Sequence, residues 1–317
     1  MRFAVSLSAI FFFGSAAGVA ADWEPLAKPE IAALQDDDLD RHRADPEFLT
    51  GINVSESRFS ENGFEWHLLR FENVAQPVGP LWAVPHDDEN AAFDAMVAAL
   101  KRHGGVGIAV NSGPGSLRRQ TGFGPCGVRA KPVAACDPNR NFDARTPLFT
   151  SAILSALPKG QPIIALHTNG DGFSGDSKGG RGDITLLDAA AFRQGRVGIR
   201  DDGYAGQGED PLLDDPDVYA ILPYTAATDI AAADKKCRAA LNAENINVWH
   251  EKVRRSDGSL SNYVALNFPL QAYVNFEAQR DDDLAPAAEA QRHMIDAYMK
   301  GCAPLGDQPT ALPLTGG

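Results

Sequence analysis

A histidine and a glutamate stand three positions apart in the segment VPHDDENAAF, where an apolar run ends and a helical pattern begins. His86 follows the predicted strand PLWAVP, and Glu89 falls in the first turn of the predicted helix. A bend from strand to helix can direct this imidazole and this carboxylate at one point, and such a pair suits zinc. Acidic residues are also common at helix starts, where they interact favourably with the helix dipole. The segment alone leaves both interpretations open.

A third candidate ligand follows another apolar strand. His167 ends PIIALH and precedes a glycine turn, so it occupies the same kind of position as His86. In open α/β sheets, ligands bind at the carboxyl ends of strands. A partly buried histidine bonded to a backbone carbonyl is the alternative. His86, Glu89 and His167 are therefore candidate ligands of one zinc ion, and the alternative interpretations stay open at this point.

Two further segments carry groups that could bind or activate a substrate. In CDPNRNF, Asn139 and Arg140 could hold a carboxylate, because a guanidinium offers two parallel donors. A surface turn is the alternative, since Asp-Pro-Asn favours turns. In AYVNFEAQ, strand alternation places Glu277 on the polar face, where it could act as a general base. A solvated edge strand would give the same pattern.

The start of the chain and its charge restrict where the protein works and what it binds. Residues 1–21 have the positive start, apolar run and small residues of a secretory signal peptide. No later stretch is long and apolar enough to span a bilayer. The net charge of −13 argues against a nucleic-acid partner, which would need clustered Lys and Arg. We expect an exported protein, periplasmic or secreted, with no membrane span.

Four cysteines follow the predicted signal peptide. An even number of cysteines in an oxidising compartment indicates two disulfides, and four cysteines allow three pairings. We favour Cys126–Cys136, which would close a short Gly/Pro loop, and Cys237–Cys302, which would join two late helices.

Strand and helix patterns alternate along the rest of the chain. A hairpin is predicted over 57–71 around the turn ENG, and a helix from a cap at Asp87 or Asp88 to Gly104. Further strands are predicted at 80–85, 106–110, 162–167, 218–224, 246–253 and 272–279, and further helices at 148–157, 229–243 and 286–300. Residues 22–50 indicate a surface lead-in, 169–217 a long insertion or lid, and 303–317 a flexible tail. The alternation indicates an α/β sheet with helices on both faces.

The order of these motifs resembles the zinc carboxypeptidase superfamily (the carboxypeptidase A type), with its succinylglutamate desuccinylase and aspartoacylase branch. His-x-x-Glu, the Asn-Arg pair of DPNRNF, a lone strand-end histidine and a glutamate on a late strand occur in that order between residues 80 and 280. The resemblance implies one catalytic domain over 22–302, with a mixed, mostly parallel sheet of about eight strands between helices. It also implies that Arg118 or Arg119 polarises the scissile carbonyl, with Asn139 and Arg140 as the carboxylate clamp and Glu277 as the base.

Membership of this family would imply an exported zinc hydrolase that cleaves an amide bond next to a free carboxylate. Its substrate would be a peptide or an N-acyl amino acid, and peptidoglycan peptides are candidates. A second enzyme class competes, because PHDDE resembles the His-Pro-Asp-Asp-Glu motif of zinc deacetylases that act on N-acetylglucosamine conjugates. That alternative gives roles to Asp87 and Asp88. A non-catalytic exported binding protein is the third possibility.

Overall fold

The computed structural model describes residues 21–112, 126, 136–170, 199–200, 218–225, 232–280 and 283–302. Several predicted features lie outside these residues: nearly all of the signal peptide, Arg118 and Arg119, most of the insertion 169–217, and the tail 303–317.

Ten strands form a single sheet within the described residues, and eight of them have four or more residues. The strands are β1 (Glu24–Pro25), β2 (Ile52–Glu61), β3 (Phe64–Asn73), β4 (Leu81–Val84), β5 (Val106–Val110), β6 (Ile163–Gly170), β7 (Ile199–Arg200), β8 (Tyr219–Tyr224), β9 (Asn247–Lys252) and β10 (Tyr273–Arg280). Their order across the sheet is β1-β2-β3-β5-β4-β6-β10-β8-β9-β7.

The sheet is mixed, as the family resemblance implied. Strands β5, β4, β6 and β10 run parallel to one another and form its centre. Four of the nine neighbouring pairs are parallel and five are antiparallel. Antiparallel pairs extend this parallel centre at both sides. Because β4, β6 and β10 run in the same direction, their carboxyl ends meet at one edge of the sheet.

The predicted hairpin is formed by β2 and β3, which pair over their full length from Ile52↔Asn73 to Glu61↔Phe64. Asn62 and Gly63 form its two-residue turn, with φ values of 55° and 76°. Positive φ at both turn positions matches the twist of the flanking strands, and Asn-Gly adopts it readily. The preference of Asn-Gly for positive φ therefore explains why the segment ENG predicted this turn.

Seven α-helices cover the two faces of this sheet within the described residues. They are α1 (Lys28–Ala33), α2 (Asp37–Arg41), α3 (Asn90–His103), α4 (Pro147–Leu154), α5 (Ala232–Ala243), α6 (Leu260–Asn267) and α7 (Leu284–Gly301). One apolar core contains residues of α3, α5 and α7, and the core on the other face contains residues of α4 and α6. None of the described helices is both long and apolar enough for a bilayer crossing.

Helix α3 begins later than the sequence predicted. Its N-cap is Glu89, with φ −99° and ψ 59°, so neither Asp87 nor Asp88 caps it. The helix ends at His103, and Gly104 follows as its C-cap with φ 73°, at the position that the sequence predicted. Its apolar stripe, which includes Phe93 and Met96, is fully buried. Leaving Glu89 outside the helix frees its carboxylate to turn toward His86.

The lead-in over 22–50 is more deeply integrated than predicted. It contains α1 and α2, and Leu34 and Leu39 join the core that packs on α3. Asp36 caps α2 by accepting a hydrogen bond from Leu39 N at 2.8 Å. Helix α6 was also absent from the predictions.

Two disulfides join the cysteines in the favoured pairing. Cys126 bonds to Cys136 with Cα atoms 4.9 Å apart, and Cys237 bonds to Cys302 with Cα atoms 4.5 Å apart. The second disulfide ties α5 to the end of α7 across 65 residues of chain.

A candidate metal centre at the edge of the sheet

Three side chains from two separate parts of the chain converge at the carboxyl edge of the parallel centre. Nδ1 of His86 lies 2.9 Å from Oε1 of Glu89 and 3.1 Å from Nδ1 of His167. Nδ1 of His167 lies 3.1 Å from Oε2 of Glu89. All three residues are at most 2% exposed. Among the described residues they form the one group of histidine, cysteine or carboxylate ligands close enough to share a metal ion.

The spacing of these atoms fits a zinc ion. Zinc holds nitrogen and oxygen ligands at about 2.0–2.1 Å in a tetrahedral arrangement, which places ligand atoms about 3.3 Å from one another. The three measured separations of 2.9–3.1 Å are close to that value. Two His nitrogens and one carboxylate are also a donor set found in catalytic zinc sites with an open fourth position. The residues present therefore fit the ion that the sequence predicted.

The strand or helix next to each candidate ligand sets the position of its side chain. His86 lies two residues beyond the end of β4, and Glu89 lies at the N-cap of α3, so one short turn directs both inward. His167 lies inside β6, which continues to Gly170, and not at the strand end that the sequence predicted. The strand continues because Thr168 and Asn169 still pair with Ala278 and Gln279 on β10.

The charges of the cluster compensate one another. Burial favours the neutral form of His86, but the carboxylates of Glu89 and Asp137 raise its pKa to about 9. Burial likewise opposes ionisation of Glu89, yet the two histidines hold the pKa of that carboxyl well below its ordinary value. A cation at this point is therefore stabilised by its surroundings, whether it is a proton or a metal ion.

Asp137 lies behind the cluster and orients one of its ligands. Its Oδ1 lies 2.8 Å from Nε2 of His86 and also accepts a hydrogen bond from Asn139 N at 2.9 Å. When a metal is bound, a carboxylate on the outer nitrogen would keep the proton of His86 on Nε2 and leave Nδ1 directed at the metal position. The sequence analysis did not identify Asp137 as a functional residue, although it opens the DPNR segment.

The short 3-10 helix Pro138–Arg140 places the two predicted carboxylate-binding residues beside the cluster. Oδ1 of Asn139 accepts a hydrogen bond from Leu260 N at 3.0 Å, so this side chain also positions the start of α6. The guanidinium of Arg140 is partly exposed, 3.7 Å from Asp137 and 3.8 Å from Asp257. Its remaining donors could bind a substrate carboxylate.

The structure places Glu277 next to the cluster. Glu277 on β10 lies directly opposite His167 on β6, and its side chain is 7% exposed. Its Oε1 accepts a hydrogen bond from Nδ2 of Asn275 at 3.2 Å. Its Oε2 is buried and has no hydrogen-bond partner among the described residues. A buried carboxylate oxygen without a partner indicates a proton or ligand that belongs there.

Gln291 of α7 is a second residue that the sequence analysis missed. Its Nε2 donates a hydrogen bond of 2.6 Å to the carbonyl oxygen of His167, and its side chain is fully buried. The bond fixes the backbone of β6 at the level of the ligand. A glutamine in a helical pattern carries no sign of this role in the sequence.

The comparisons with known proteins give fold neighbours at low sequence identity. No family model and no curated protein matches the chain. A metallo-carboxypeptidase from Burkholderia cenocepacia is similar at 14% identity, over 87% of this chain and 69% of that protein, with a TM-score of 0.44.

Two further solved structures come from the other branch that the sequence resembles. An aspartoacylase family protein from Mesorhizobium loti is 12% identical over 78% of this chain and 67% of its own, with a TM-score of 0.39. A succinylglutamate desuccinylase from a Silicibacter species is 11% identical over 79% of this chain and 66% of its own, with a TM-score of 0.40. Because the TM-scores of these three structures are below 0.5, the geometry of the site has to support any functional assignment.

Proposed function

We propose that the protein is a zinc-dependent hydrolase that cleaves an amide bond next to a free carboxylate, in a peptide or in an N-acyl amino acid. The observation that supports this proposal most strongly is the convergence of His86, Glu89 and His167, with Glu277 directly opposite His167 on the neighbouring strand. The cluster supplies three ligands, and Glu277 supplies a carboxylate that is not one of them.

Each group has a distinct task in this proposal. When bound, zinc supplies a Lewis acid and lowers the pKa of a coordinated water from about 15.7 to about 7. Glu277 accepts a proton from the attacking water through its unpartnered Oε2 and later delivers it to the leaving amine. Asp137 keeps His86 in the orientation that holds the metal.

Arg140 provides the specificity for a terminal carboxylate. Its guanidinium is partly exposed beside the cluster, and Asn139, its neighbour in the chain, offers an amide donor. Paired parallel donors recognise a carboxylate with defined geometry. A substrate anchored in this way presents the bond next to its end, so the proposal favours removal of a terminal residue over cleavage within a chain.

Export is part of the proposal and is supported by the two disulfides. Disulfides persist in oxidising compartments such as the bacterial periplasm and the extracellular space. The described cysteines are all paired. An exported enzyme of this kind would meet peptides, with cell-wall stem peptides as one candidate substrate.

Metal analysis of the purified protein tests the proposal. We expect about one zinc per chain in the wild type and much less in His167→Ala, because removing one of three protein ligands weakens a zinc site severely. His293→Ala is the matched control, since His293 lies on α7 outside the cluster. Equal zinc content in wild type and His167→Ala would refute the site.

A substrate panel separates this proposal from the deacetylase alternative. The panel contains peptides, N-acyl amino acids, muropeptides and N-acetylglucosamine conjugates. The deacetylase alternative requires Asp88 for catalysis, so Asp88→Ala should abolish deacetylation. The carboxypeptidase proposal expects Asp88→Ala to remain active on substrates with a free carboxylate. Activity on sugar conjugates that is lost in Asp88→Ala would favour the alternative.

A further inference from the structure

The disulfide between Cys126 and Cys136 lies beside the candidate metal centre. Cys136 immediately precedes Asp137 in the chain, and Oδ1 of Asp137 lies 2.8 Å from Nε2 of His86. Both cysteines are at most 8% exposed. A single residue, Asp137, therefore links the disulfide to a candidate zinc ligand.

Asn141 closes a ring around this segment. Its Oδ1 accepts a hydrogen bond from Cys126 N at 2.9 Å, and its Nδ2 donates to the carbonyl oxygen of Cys126 at 3.1 Å. Cys126 is thus attached to both ends of the segment 136–141, covalently to Cys136 and through two hydrogen bonds to Asn141. Asp137 lies inside this ring.

The Asn141 end of the ring is anchored to the core. Asn141 is fully buried, and its carbonyl oxygen accepts hydrogen bonds from the hydroxyls of Thr146, the N-cap of α4, and of Thr150, within α4. Buried polar groups that are fully paired hold one arrangement, because breaking any bond leaves an unpaired group behind. The ring therefore has a fixed position relative to α4.

The ring restricts Asp137 on one side, and a turn restricts it on the other. After Asp137, the chain is held by the 3-10 turn, in which Arg140 N donates to the carbonyl oxygen of Asp137 at 3.0 Å. Before Asp137, the sulfur bond of Cys136 holds the backbone one residue away. A hydrogen bond weakens steeply when its length or angle departs from the favoured range. Opening the disulfide should therefore weaken the bond between Asp137 and His86.

We propose that the Cys126–Cys136 disulfide and Asn141 are positioning residues for the metal centre. Together they hold Asp137 in place, and Asp137 orients His86. The inference rests on the proposed function, because it concerns the zinc ion of that same site. The site reaches its full affinity for zinc only after the disulfide has closed. Zinc loading is thereby coupled to an oxidising compartment, where disulfides form and persist.

Removal of this disulfide is the first test. In Cys126→Ala/Cys136→Ala, the affinity for zinc should fall by about 10- to 100-fold, the range for losing the partner of a metal-bound histidine. Competition with a chromogenic chelator measures the affinity. Alanine variants are preferable to a reductant, because the thiols that reduction releases can bind zinc themselves. A wild-type affinity in the double variant would overturn the proposal.

The second disulfide provides the matched control. Cys237 and Cys302 are 65 positions apart, against 10 positions for Cys126 and Cys136. Disulfides that close longer loops generally stabilise more, so Cys237→Ala/Cys302→Ala should lower Tm at least as much as the first pair of substitutions. Its zinc affinity should nevertheless stay at the wild-type value. An equal loss of affinity in both double variants would attribute the effect to general stability and contradict the proposal.

A thermodynamic cycle tests whether the effect passes through Asp137. In an Asp137→Ala background, removing Cys126 and Cys136 should change the zinc affinity by less than about twofold, because the link to His86 is already absent. A loss of the full size in that background would refute the proposed route. Asn141→Ala should also weaken zinc binding with the disulfide intact, and an unchanged affinity would contradict its role.

The zinc measurements need no turnover, so they separate this inference from the proposed function. If the affinity depends on the Cys126–Cys136 disulfide but no substrate is hydrolysed, the positioning role stands and the hydrolase proposal fails. If the wild type binds zinc and hydrolyses a substrate but the affinity is the same without this disulfide, the hydrolase proposal stands and the positioning role is wrong. A wild type that binds no zinc would overturn both.

Discussion

His167 and Glu277 lie directly opposite each other on the neighbouring parallel strands β6 and β10. Directly paired residues project from the same face of a sheet, so the imidazole of the cluster and the buried carboxylate face the same space. Asn275 holds one oxygen of Glu277, and the other oxygen has no partner among the described residues. In the proposed function, this pairing places the base beside the metal while keeping it out of the ligand set.

Replacing Glu277 should separate metal binding from catalysis. Glu277→Gln should retain about one zinc per chain, because the three ligands are untouched, while kcat falls by about 10²- to 10⁴-fold with the loss of a general base. Zinc content and steady-state kinetics on a hydrolysed substrate measure both effects. Glu65→Gln, at an exposed position of the hairpin, serves as the control, and wild-type kcat in Glu277→Gln would show that another group is the base.

Asp137 should tune metal affinity without contacting the metal. Removing its carboxylate in Asp137→Ala leaves Nε2 of His86 without its 2.8 Å partner. Loss of such a partner typically weakens metal binding about 10- to 100-fold. Competition with a chromogenic chelator measures the affinity, and Asp45→Asn, at an exposed position, provides the comparison. An unchanged affinity would mean that the bond to His86 has no influence on the metal.

Gly258 should matter for substrate binding through its contact with Arg140. It has φ 90°, and a Cβ atom added there would collide with the backbone carbonyl of Arg140. Gly258→Ala should shift the guanidinium and lower kcat/KM for carboxylate-bearing substrates by about 10- to 100-fold, with zinc content unchanged.

The control for this variant is Gly160→Ala. Gly160 also has a positive φ, 75°, but an added Cβ would meet nothing within 4 Å. Both variants therefore carry the cost of a left-handed backbone at an alanine, and only one disturbs Arg140. Equal kinetic losses in the two would attribute the effect to general destabilisation.

The raised pKa of Glu251 predicts a pH-dependent difference in stability. Burial and the charge of Asp257 raise the pKa of this carboxyl to about 7 in the folded protein, against an ordinary value of 4.5. The folded state therefore holds this proton more tightly, and its contribution to stability is complete below pH 4.5 and is lost as the pH rises toward 7. Glu251→Gln has no such proton to lose. The Tm of the variant minus the Tm of the wild type should therefore increase as the pH rises from 4.5 to 7.

Thermal melts of the metal-free proteins at intervals between pH 4 and pH 8 measure this difference. The Tm difference between Glu65→Gln and wild type should stay constant, because Glu65 is exposed. A flat difference for Glu251→Gln as well would show that Glu251 ionises normally in the folded protein.

The sequence alone was enough to predict the parts of the site that lie within one local segment. His86 and Glu89 lie on one strand-to-helix turn, so their spacing alone suggested that they converge. The polar face of β10 followed from strict alternation, which placed Glu277 correctly on that face. The α/β sheet with helices on both faces followed from the alternation of strand and helix patterns, and its mixed pairing was what the family resemblance implied.

The remaining features depend on contacts between distant segments. Asp137 reaches His86 across 51 positions, and Gln291 reaches the carbonyl of His167 across 124 positions. No periodicity or turn signal marks such pairs in a single sequence. The same limit explains why His167 was placed at the end of β6, since the strand continues only because β10 pairs with it.

The cluster joins parts of the chain that are far apart in sequence. Glu89 and His167 are separated by 78 positions, and no disulfide among the described residues bridges this interval. In the proposed function, a bound ion would therefore act as a third crosslink, one that forms and breaks with metal binding, whereas the two disulfides are covalent. Resistance to unfolding would then follow the free metal concentration, at about 1.4 kcal/mol for each tenfold excess over the dissociation constant. Depletion of zinc would then weaken the fold together with the proposed activity.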